Sequence, residues 1–133
     1  MKTSKGFTVI ELLIVATFLI TATVVLFIQY RNLTNQLDND NRRTAINAIY
    51  FSLEEGFYKN NSYYPETIGD ETLPTMDAEL LIDPNGVKIG ESDSVYRYEP
   101  ANCQDGKCQE YTLRTSLTNE EDFIRQNRNG QTD

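Results

Sequence analysis

The chain divides into an apolar first part and a polar remainder. Residues 7–28 are almost entirely apolar, interrupted only by threonines and by one acidic residue, Glu11. A helix of about 20 apolar residues is long enough to cross a bilayer. Lys2 and Lys5 lie just before this run, and basic residues on that side keep the N-terminus in the cytoplasm. The pattern therefore predicts one membrane-spanning helix whose C-terminal side is exported.

The helical pattern continues beyond the apolar run, because the chain has no proline between Phe7 and Tyr64. Apolar residues recur at helical spacing from Ala45 to Phe57, which predicts a helix face packed against another layer. Between these two parts, residues 34–43 are almost all polar and include poor helix formers. We expect this middle segment to be exposed to solvent or contacted by neighbouring subunits. A disordered linker is the alternative.

The helix is expected to end near Asn60, because Asn61 and Pro65 follow and proline disfavours helix in the residue before it. The chain is rich in turn formers after this point. Residues 83–86, Asp-Pro-Asn-Gly, predict a β-turn in which proline presets one φ angle and glycine is free to take a positive one.

Two later segments, residues 95–98 and 110–117, alternate apolar and polar side chains, which predicts half-buried strands. The last nine residues, 125–133, are polar, and we expect them to form a mobile tail. The part after Pro65 is too short to bury a sufficient core alone, so the apolar stripe of the helix is its natural second layer.

The predicted fold is therefore α+β, with a long N-terminal α-helix whose outer half packs on a small antiparallel β-sheet. Residues 7–28 form the hydrophobic half of the helix and residues 29–60 its amphipathic outer half. Residues 61–133 form the C-terminal β-domain.

Cys103 and Cys108 flank a short loop that contains Asp105 and Gly106, which predicts a hairpin closed by a disulfide. Export to an oxidising compartment favours that bond. A redox-active pair more often has the spacing Cys-x-x-Cys, and two thiolates without histidine make a poor zinc site.

The composition argues against several function classes. The chain has a net charge of −8 and no histidine, so it lacks the commonest general base and metal ligand. Nucleic-acid binding draws its affinity from Lys and Arg, so direct binding to DNA or RNA is not expected. No nucleophile–base pair is recognisable, and we predict neither an enzyme nor a cofactor.

Several acidic residues crowd one region of the C-terminal part. A solvated surface is the favoured interpretation, and a calcium site is the alternative, although no EF-hand-type spacing is present. These residues are Asp77, Glu79, Asp83, Glu91 and Asp93.

Glu11 distinguishes three interpretations of the N-terminal run. A cleaved secretory signal would end in an Ala-x-Ala-like site, and the residues after Leu26 offer none. A generic signal anchor leaves Glu11 unexplained. A carboxylate costs about 2.5–3.5 kcal/mol at the centre of a membrane helix and less near its end, where it still requires a cationic partner. The alternative for Glu11 is that it only reaches the membrane interface beside Lys5. The third interpretation treats Gly6 as the end of a short leader, so that Phe7 becomes the mature N-terminus.

The stretch Lys-Gly-Phe-Thr-Val-Ile-Glu-Leu-Leu, residues 5–13, resembles the class III signal of type IV pilins and related pseudopilins. In that family a prepilin peptidase cuts immediately after the glycine and usually methylates the new N-terminus. The resemblance implies a leader of residues 1–6, cleavage between Gly6 and Phe7, N-methylation of Phe7 and an assembly role for Glu11.

The resemblance also implies the pilin fold and a function as a structural subunit of a type IV pilus or related filament. Such a subunit serves adhesion, motility or DNA uptake. Its partners would be further copies of the chain, minor pilins, prepilin peptidase and an assembly platform protein. It would cross the cytoplasmic membrane once before assembly and be extracellular afterwards. A type II secretion-like pseudopilin and a non-filament, membrane-anchored binding module are the alternatives.

The sequence departs from the family in one respect. Many type IV pilins carry a glycine and a proline within the apolar half of the helix, whereas residues 7–28 contain neither. The β-branched residues of segment 21–25 weaken a helix less than proline does. Melting of this segment in an assembled filament is therefore not predicted from the sequence.

Overall fold

The computed structural model describes residues 6–128. The chain separates into two compact units, Met1–Gln36 and Leu37–Asp133. Each unit is described by itself below.

One long helix supplies most of the helical structure. Helix α1 is α-helical over Val9–Phe51, continues as a π-helical segment over Ser52–Tyr58 and ends with the turn Lys59–Asn61. Ser62 then takes a left-handed conformation with φ 61°, which stops the helix. The prediction that the helix ends near Asn60 is confirmed, whereas the π-helical segment was not predicted.

A four-stranded antiparallel sheet lies in the second unit. The long strands β2 and β3 form a hairpin, and the short strands β1 and β4 pair with opposite ends of β3. The strands are β1 (Tyr64–Pro65), β2 (Tyr96–Gln104), β3 (Lys107–Thr115) and β4 (Phe123–Gln126). One long helix followed by a small antiparallel sheet confirms the predicted α+β arrangement.

The core of the second unit lies between the apolar stripe of α1 and one face of the sheet. Ile46, Ile49 and Leu53 of the helix are completely buried, and they share a hydrophobic cluster with Tyr111 and Leu113 of β3. Burying one such aliphatic side chain contributes roughly 1.5–3 kcal/mol. The stripe predicted from Ala45 onward is thus the second layer of the domain.

The expectation that residues 34–43 are exposed is wrong at two positions. Asn39 and Arg42 are only 2 % and 9 % exposed. Asn39 Nδ2 donates to the Thr118 carbonyl at 3.0 Å, and the Thr118 N–H donates back to Asn39 Oδ1 at 2.8 Å. Arg42 Nη1 donates to the Ser116 carbonyl at 2.9 Å. These polar side chains can be buried because they form hydrogen bonds with backbone groups of the loop between β3 and β4.

The predicted mobile tail is also wrong for its first four residues. Arg125 belongs to β4, and Asn127 is 2 % exposed, with its N–H donating to the Tyr111 carbonyl at 3.2 Å. The Arg128 N–H donates to Glu54 Oε1 at 3.1 Å. Backbone pairing therefore orders this polar segment, and the rest of the predicted tail lies outside the described residues.

The two turn predictions are confirmed. In the Asp-Pro-Asn-Gly turn the Gly86 N–H donates to the Asp83 carbonyl at 2.9 Å, and Gly86 has φ 83°. The β2–β3 hairpin turns at Asp105 and Gly106, which have φ 52° and 76°. Two successive positive φ angles are what a type I′ hairpin turn requires.

Candidate functional site

The first unit exposes an apolar surface that its own residues do not cover. Every Leu, Ile, Val and Phe side chain from Val9 to Ile28 is between 47 % and 80 % exposed. A helix that is apolar on all sides is stable only in lipid or against other protein. α1 is long and apolar enough to cross a membrane, which is compatible with the predicted single span.

The threonine hydroxyls within this surface donate hydrogen bonds to carbonyl groups of the same helix. The Thr17 hydroxyl donates to the Leu13 carbonyl at 2.8 Å, and the Thr23 hydroxyl donates to the Leu19 carbonyl at 2.7 Å. Thr21 bonds in the same way. Because hydroxyls bonded to a preceding carbonyl need no external partner, these side chains do not oppose burial in an apolar environment.

Glu11 differs from these threonines. It lies in the first turn of α1, where its N–H donates to the Thr8 hydroxyl at 3.3 Å. Among residues 6–128 its carboxylate has no hydrogen-bond or ion-pair partner. A carboxylate at this end of a helix is favoured by the helix dipole, but no counter-ion for its charge lies within residues 6–128.

The predicted processing residues lie next to Glu11. Gly6 and Phe7 precede the first helical turn, and Phe7 is 76 % exposed. Gly6, Phe7, Thr8 and Glu11 line one shallow depression. Residues 1–5, with most of the predicted leader and the flanking Lys5, lie outside the described residues.

The second unit contains a buried carboxylate that sequence reasoning missed. Glu54, in the π-helical segment, is 4 % exposed. Glu54 Oε1 accepts hydrogen bonds from the Tyr64 hydroxyl at 3.1 Å, the Tyr111 hydroxyl at 2.9 Å and the Arg128 N–H at 3.1 Å. Burial raises the pKa of both tyrosines, and the nearby negative charge of Glu54 adds to this effect. The cluster joins α1, β1, β3 and the C-terminal segment, and its hydrogen bonds indicate a structural role.

The signal for Glu54 was present but weak in the sequence. Glu54 lies beside Leu53 and one helical turn after Tyr50, so the stripe itself placed it near the core. Its partners are distant in sequence and could not be identified from periodicity.

The carboxylate of Asp83, one of the acidic residues considered for calcium, accepts hydrogen bonds from backbone N–H groups. It is 4 % exposed. Its Oδ1 accepts from the Asn85 and Val87 N–H groups at 2.9 and 3.0 Å, and its Oδ2 accepts from the Val95 N–H at 2.8 Å. Burial alone raises the pKa of Asp83, but these hydrogen bonds outweigh it and lower the pKa. Within residues 6–128 no group of three or more His, Cys, Asp or Glu residues is arranged to hold a metal ion.

The predicted disulfide is present. Cys103 and Cys108 are bonded to each other and lie directly opposite one another on β2 and β3. Cys108 is completely buried. The bond closes the hairpin next to its turn, so it restrains the tip of the sheet.

The comparisons with known proteins add no family to this description: no family model, no curated protein and no solved structure matches the chain.

Proposed function

We propose that this chain is a structural subunit of a type IV pilus or a related filament. It is made as a membrane-anchored precursor and assembled through α1. The observation that carries the proposal is Glu11, whose carboxylate has no partner among residues 6–128. It lies in the segment 9–28, where the Leu, Ile, Val and Phe side chains are all exposed and the threonine hydroxyls bond to carbonyl groups of the helix itself.

A second copy of the processed chain would supply a cation for the Glu11 carboxylate. Cleavage between Gly6 and Phe7 creates an amine on Phe7 in every mature subunit. That amine lies at a helix N-terminus, where a positive charge is unfavourable. An ion pair between the Phe7 amine of one copy and Glu11 of the next relieves both problems in an apolar filament core. A buried polar pair of this kind also fixes the register between helices.

The remaining partners follow from the resemblance of residues 5–13 to the class III signal. Prepilin peptidase would cut after Gly6 and methylate Phe7. Minor pilins and an assembly platform protein would take part in assembly. The chain would cross the membrane once, with its N-terminus in the cytoplasm, and would leave the membrane as it joins the filament.

Substitution of Glu11 tests the proposal. Glu11→Ala and Glu11→Gln remove the charge without affecting any contact of the second unit. We expect the fraction of chain recovered in sheared surface filaments to fall on the order of tenfold, corresponding to about 1.4 kcal/mol of lost assembly free energy, while the amount in the envelope is unchanged. Glu121→Ala, which removes an exposed carboxylate outside the helix, is the matched control and should assemble normally. Normal assembly of both Glu11 variants would contradict the proposal.

A further inference from the structure

The outer face of the sheet, which points away from α1, carries a pair of arginines beside an exposed isoleucine. Tyr96 of β2 and Leu113 of β3 are buried on the inner face, so the residues that follow them in sequence lie on the outer face. Arg97 is paired with Arg114 across the hairpin, and Arg114 is paired with Ile124 of β4 on its other side. Ile124 is 47 % exposed. We name this row of three residues, 97, 114 and 124, the arginine patch.

The two arginines use few of their donors within their own copy. Among residues 6–128 Arg97 forms no hydrogen bond or ion pair, and Arg114 Nε is buried with no hydrogen-bond partner. Arg114 forms one ion pair, in which its Nη2 lies 3.7 Å from Glu99 Oε2, a distance too long for a hydrogen bond. Like charges directly opposite each other destabilise a sheet. The pair therefore has both free donors and excess positive charge for an anionic partner.

A cavity with acidic residues at its opening lies on the other side of the sheet. It has a volume of about 340 Å³, and its lining includes α1 and the short 3₁₀ turn Ala78–Leu81. Ala45 of α1 and Tyr96 of β2, both buried, line it as well, so it belongs to the side of the sheet that packs on α1. We name it the acidic cavity. Its exposed lining residues include Asp77, Glu79, Ile82 and Pro84.

The acidic cavity carries negative charge with no cation beside it. Among residues 6–128 neither Asp77 nor Glu79 forms an ion pair. Ile82, which lines the same cavity, is 42 % exposed. Outside α1, Ile82 and Ile124 are the exposed large apolar side chains that the structure describes, and each lies beside charges of one sign. The arginine patch and the acidic cavity are thus opposite in charge, and both offer an apolar contact.

We propose that the arginine patch of one copy docks on the acidic cavity of a second copy. In this contact Ile124 lies against the apolar lining of the cavity, and the two arginines pair with Asp77 and Glu79. Arginine is suited to this role because its planar fork of donors matches a carboxylate. A second copy is the partner with the required charge, because every chain carries both surfaces and has a net charge of −8.

The two surfaces lie on opposite sides of the sheet, so the contact runs head to tail. Each copy would bind one neighbour through its arginine patch and another through its acidic cavity. Contacts of this kind continue from copy to copy as an open helical assembly unless the rotation closes a ring. The proposal rests on the proposed function, because so few side chains bury less than the minimum of about 1,000 Å² for a stable interface. The contact would therefore orient copies that α1 already holds side by side.

Photo-crosslinking of the full-length chain in cells tests the contact directly. The photoreactive residue p-benzoylphenylalanine replaces Ile124 in one variant and Glu110 in the control. Glu110 is exposed on the outer face of β3 but lies outside the arginine patch. Irradiation should give several-fold more product of twice the chain mass from position 124, with the crosslink in residues 77–84 of the second copy. Equal yields, attachment elsewhere in the chain, or a product containing a different protein would overturn the proposal.

Charge reversal tests the ion pairs of the contact. Arg97→Glu and Glu79→Lys each place like charges across it, and each should reduce the assembled fraction several-fold, whereas the double variant should restore much of that loss. Neither side chain forms a hydrogen bond or ion pair within residues 6–128, so the melting temperature should be unchanged. Glu121→Lys, which reverses an exposed acid elsewhere, is the matched control and should assemble normally. Single reversals without effect, or a double variant without recovery, would overturn the pairing.

The two proposals can fail separately. Crosslinks from position 124 to residues 77–84 found only in the membrane fraction, with no filaments, would support the docking contact and contradict the filament function. Filaments that depend on Glu11 but give no such crosslinks would support the filament function and overturn the docking contact.

Discussion

Two glutamates of the long helix lie in opposite surroundings. Glu54 is buried and accepts hydrogen bonds from two tyrosines and a backbone N–H. Glu11 lies on an apolar surface and, within residues 6–128, its carboxylate has no partner. Glu11 could be singled out from the sequence because its neighbours are apolar. The stripe places Glu54 near the core only weakly, and its partners Tyr64 and Tyr111 could not be identified because they reach it only after the chain has folded.

Removing Glu54 should destabilise the second unit strongly. Glu54→Ala leaves two buried tyrosine hydroxyls without their acceptor, and each such loss costs about 1–3 kcal/mol. We expect the free energy of unfolding to fall by about 3 kcal/mol in urea titrations of the full chain in detergent. Glu55→Ala is the control. Glu55 is paired at the surface with Lys59 and Arg128, and because surface ion pairs contribute little, its loss should cost much less than the loss of Glu54. Similar losses for both variants would refute the structural role of Glu54.

The buried tyrosines should make the domain sensitive to alkali. Burial raises the pKa of Tyr96 to about 12, and the Asp83 carboxylate adds to the shift. Burial also raises the pKa values of Tyr64, Tyr98 and Tyr111. The folded state therefore favours neutral tyrosine more than the unfolded state does, in which the pKa is about 10.

The contribution of these tyrosines to stability should then be constant up to about pH 10 and decrease as the pH rises further. Thermal unfolding measured across this range gives the dependence. Tyr96→Phe should flatten it, since phenylalanine does not titrate. A melting temperature of the wild-type chain that stays constant above pH 10 would show that these tyrosines are not buried as described.

At the scale of elements, apolar periodicity identified α1 but not the polar contacts along it. Hydrophobic spacing located Ile46, Ile49 and Leu53 correctly because apolar burial repeats with the helical turn. Asn39 and Arg42 were missed because their burial depends on carbonyl groups of the loop between β3 and β4. A polar residue gives no sign in sequence of whether its partner is water or a distant backbone group.

The contacts of Asn39 should hold the loop in place. Asn39 both donates to and accepts from the backbone of Thr118 and donates to Glu120. The hydrogen bond from Asn39 contributes most to lowering the pKa of Glu120, and the hydrogen bond from Arg43 contributes next. Asn39→Ala should cost about 1–3 kcal/mol and speed amide hydrogen exchange in residues 116–122. Asn41→Ala, an exposed amide two positions along the helix, should leave exchange unchanged. If the amides of residues 116–122 stay equally protected from exchange in the Asn39→Ala variant, this contribution of Asn39 is contradicted.

At the scale of the whole molecule, the α+β arrangement could be predicted because the C-terminal part is too small to form a core alone. Strand β4, in contrast, could not be predicted from the sequence. It has four residues, Phe123–Gln126, and is followed by a polar segment. Its position depends on pairing with β3 and on the bonds between Asn127 and Tyr111. Short strands whose register is set by backbone pairing leave little trace in hydrophobic patterning.

The central proposal is that the chain is a processed filament subunit, and it depends on a new N-terminus at Phe7. Mass spectrometry of the chain purified from the cell envelope and from sheared surface material measures this N-terminus directly. The account predicts that the chain begins at Phe7 with a methylated amine in both fractions. A chain that begins at Met1 and remains in the membrane would contradict it and would indicate a permanent membrane anchor.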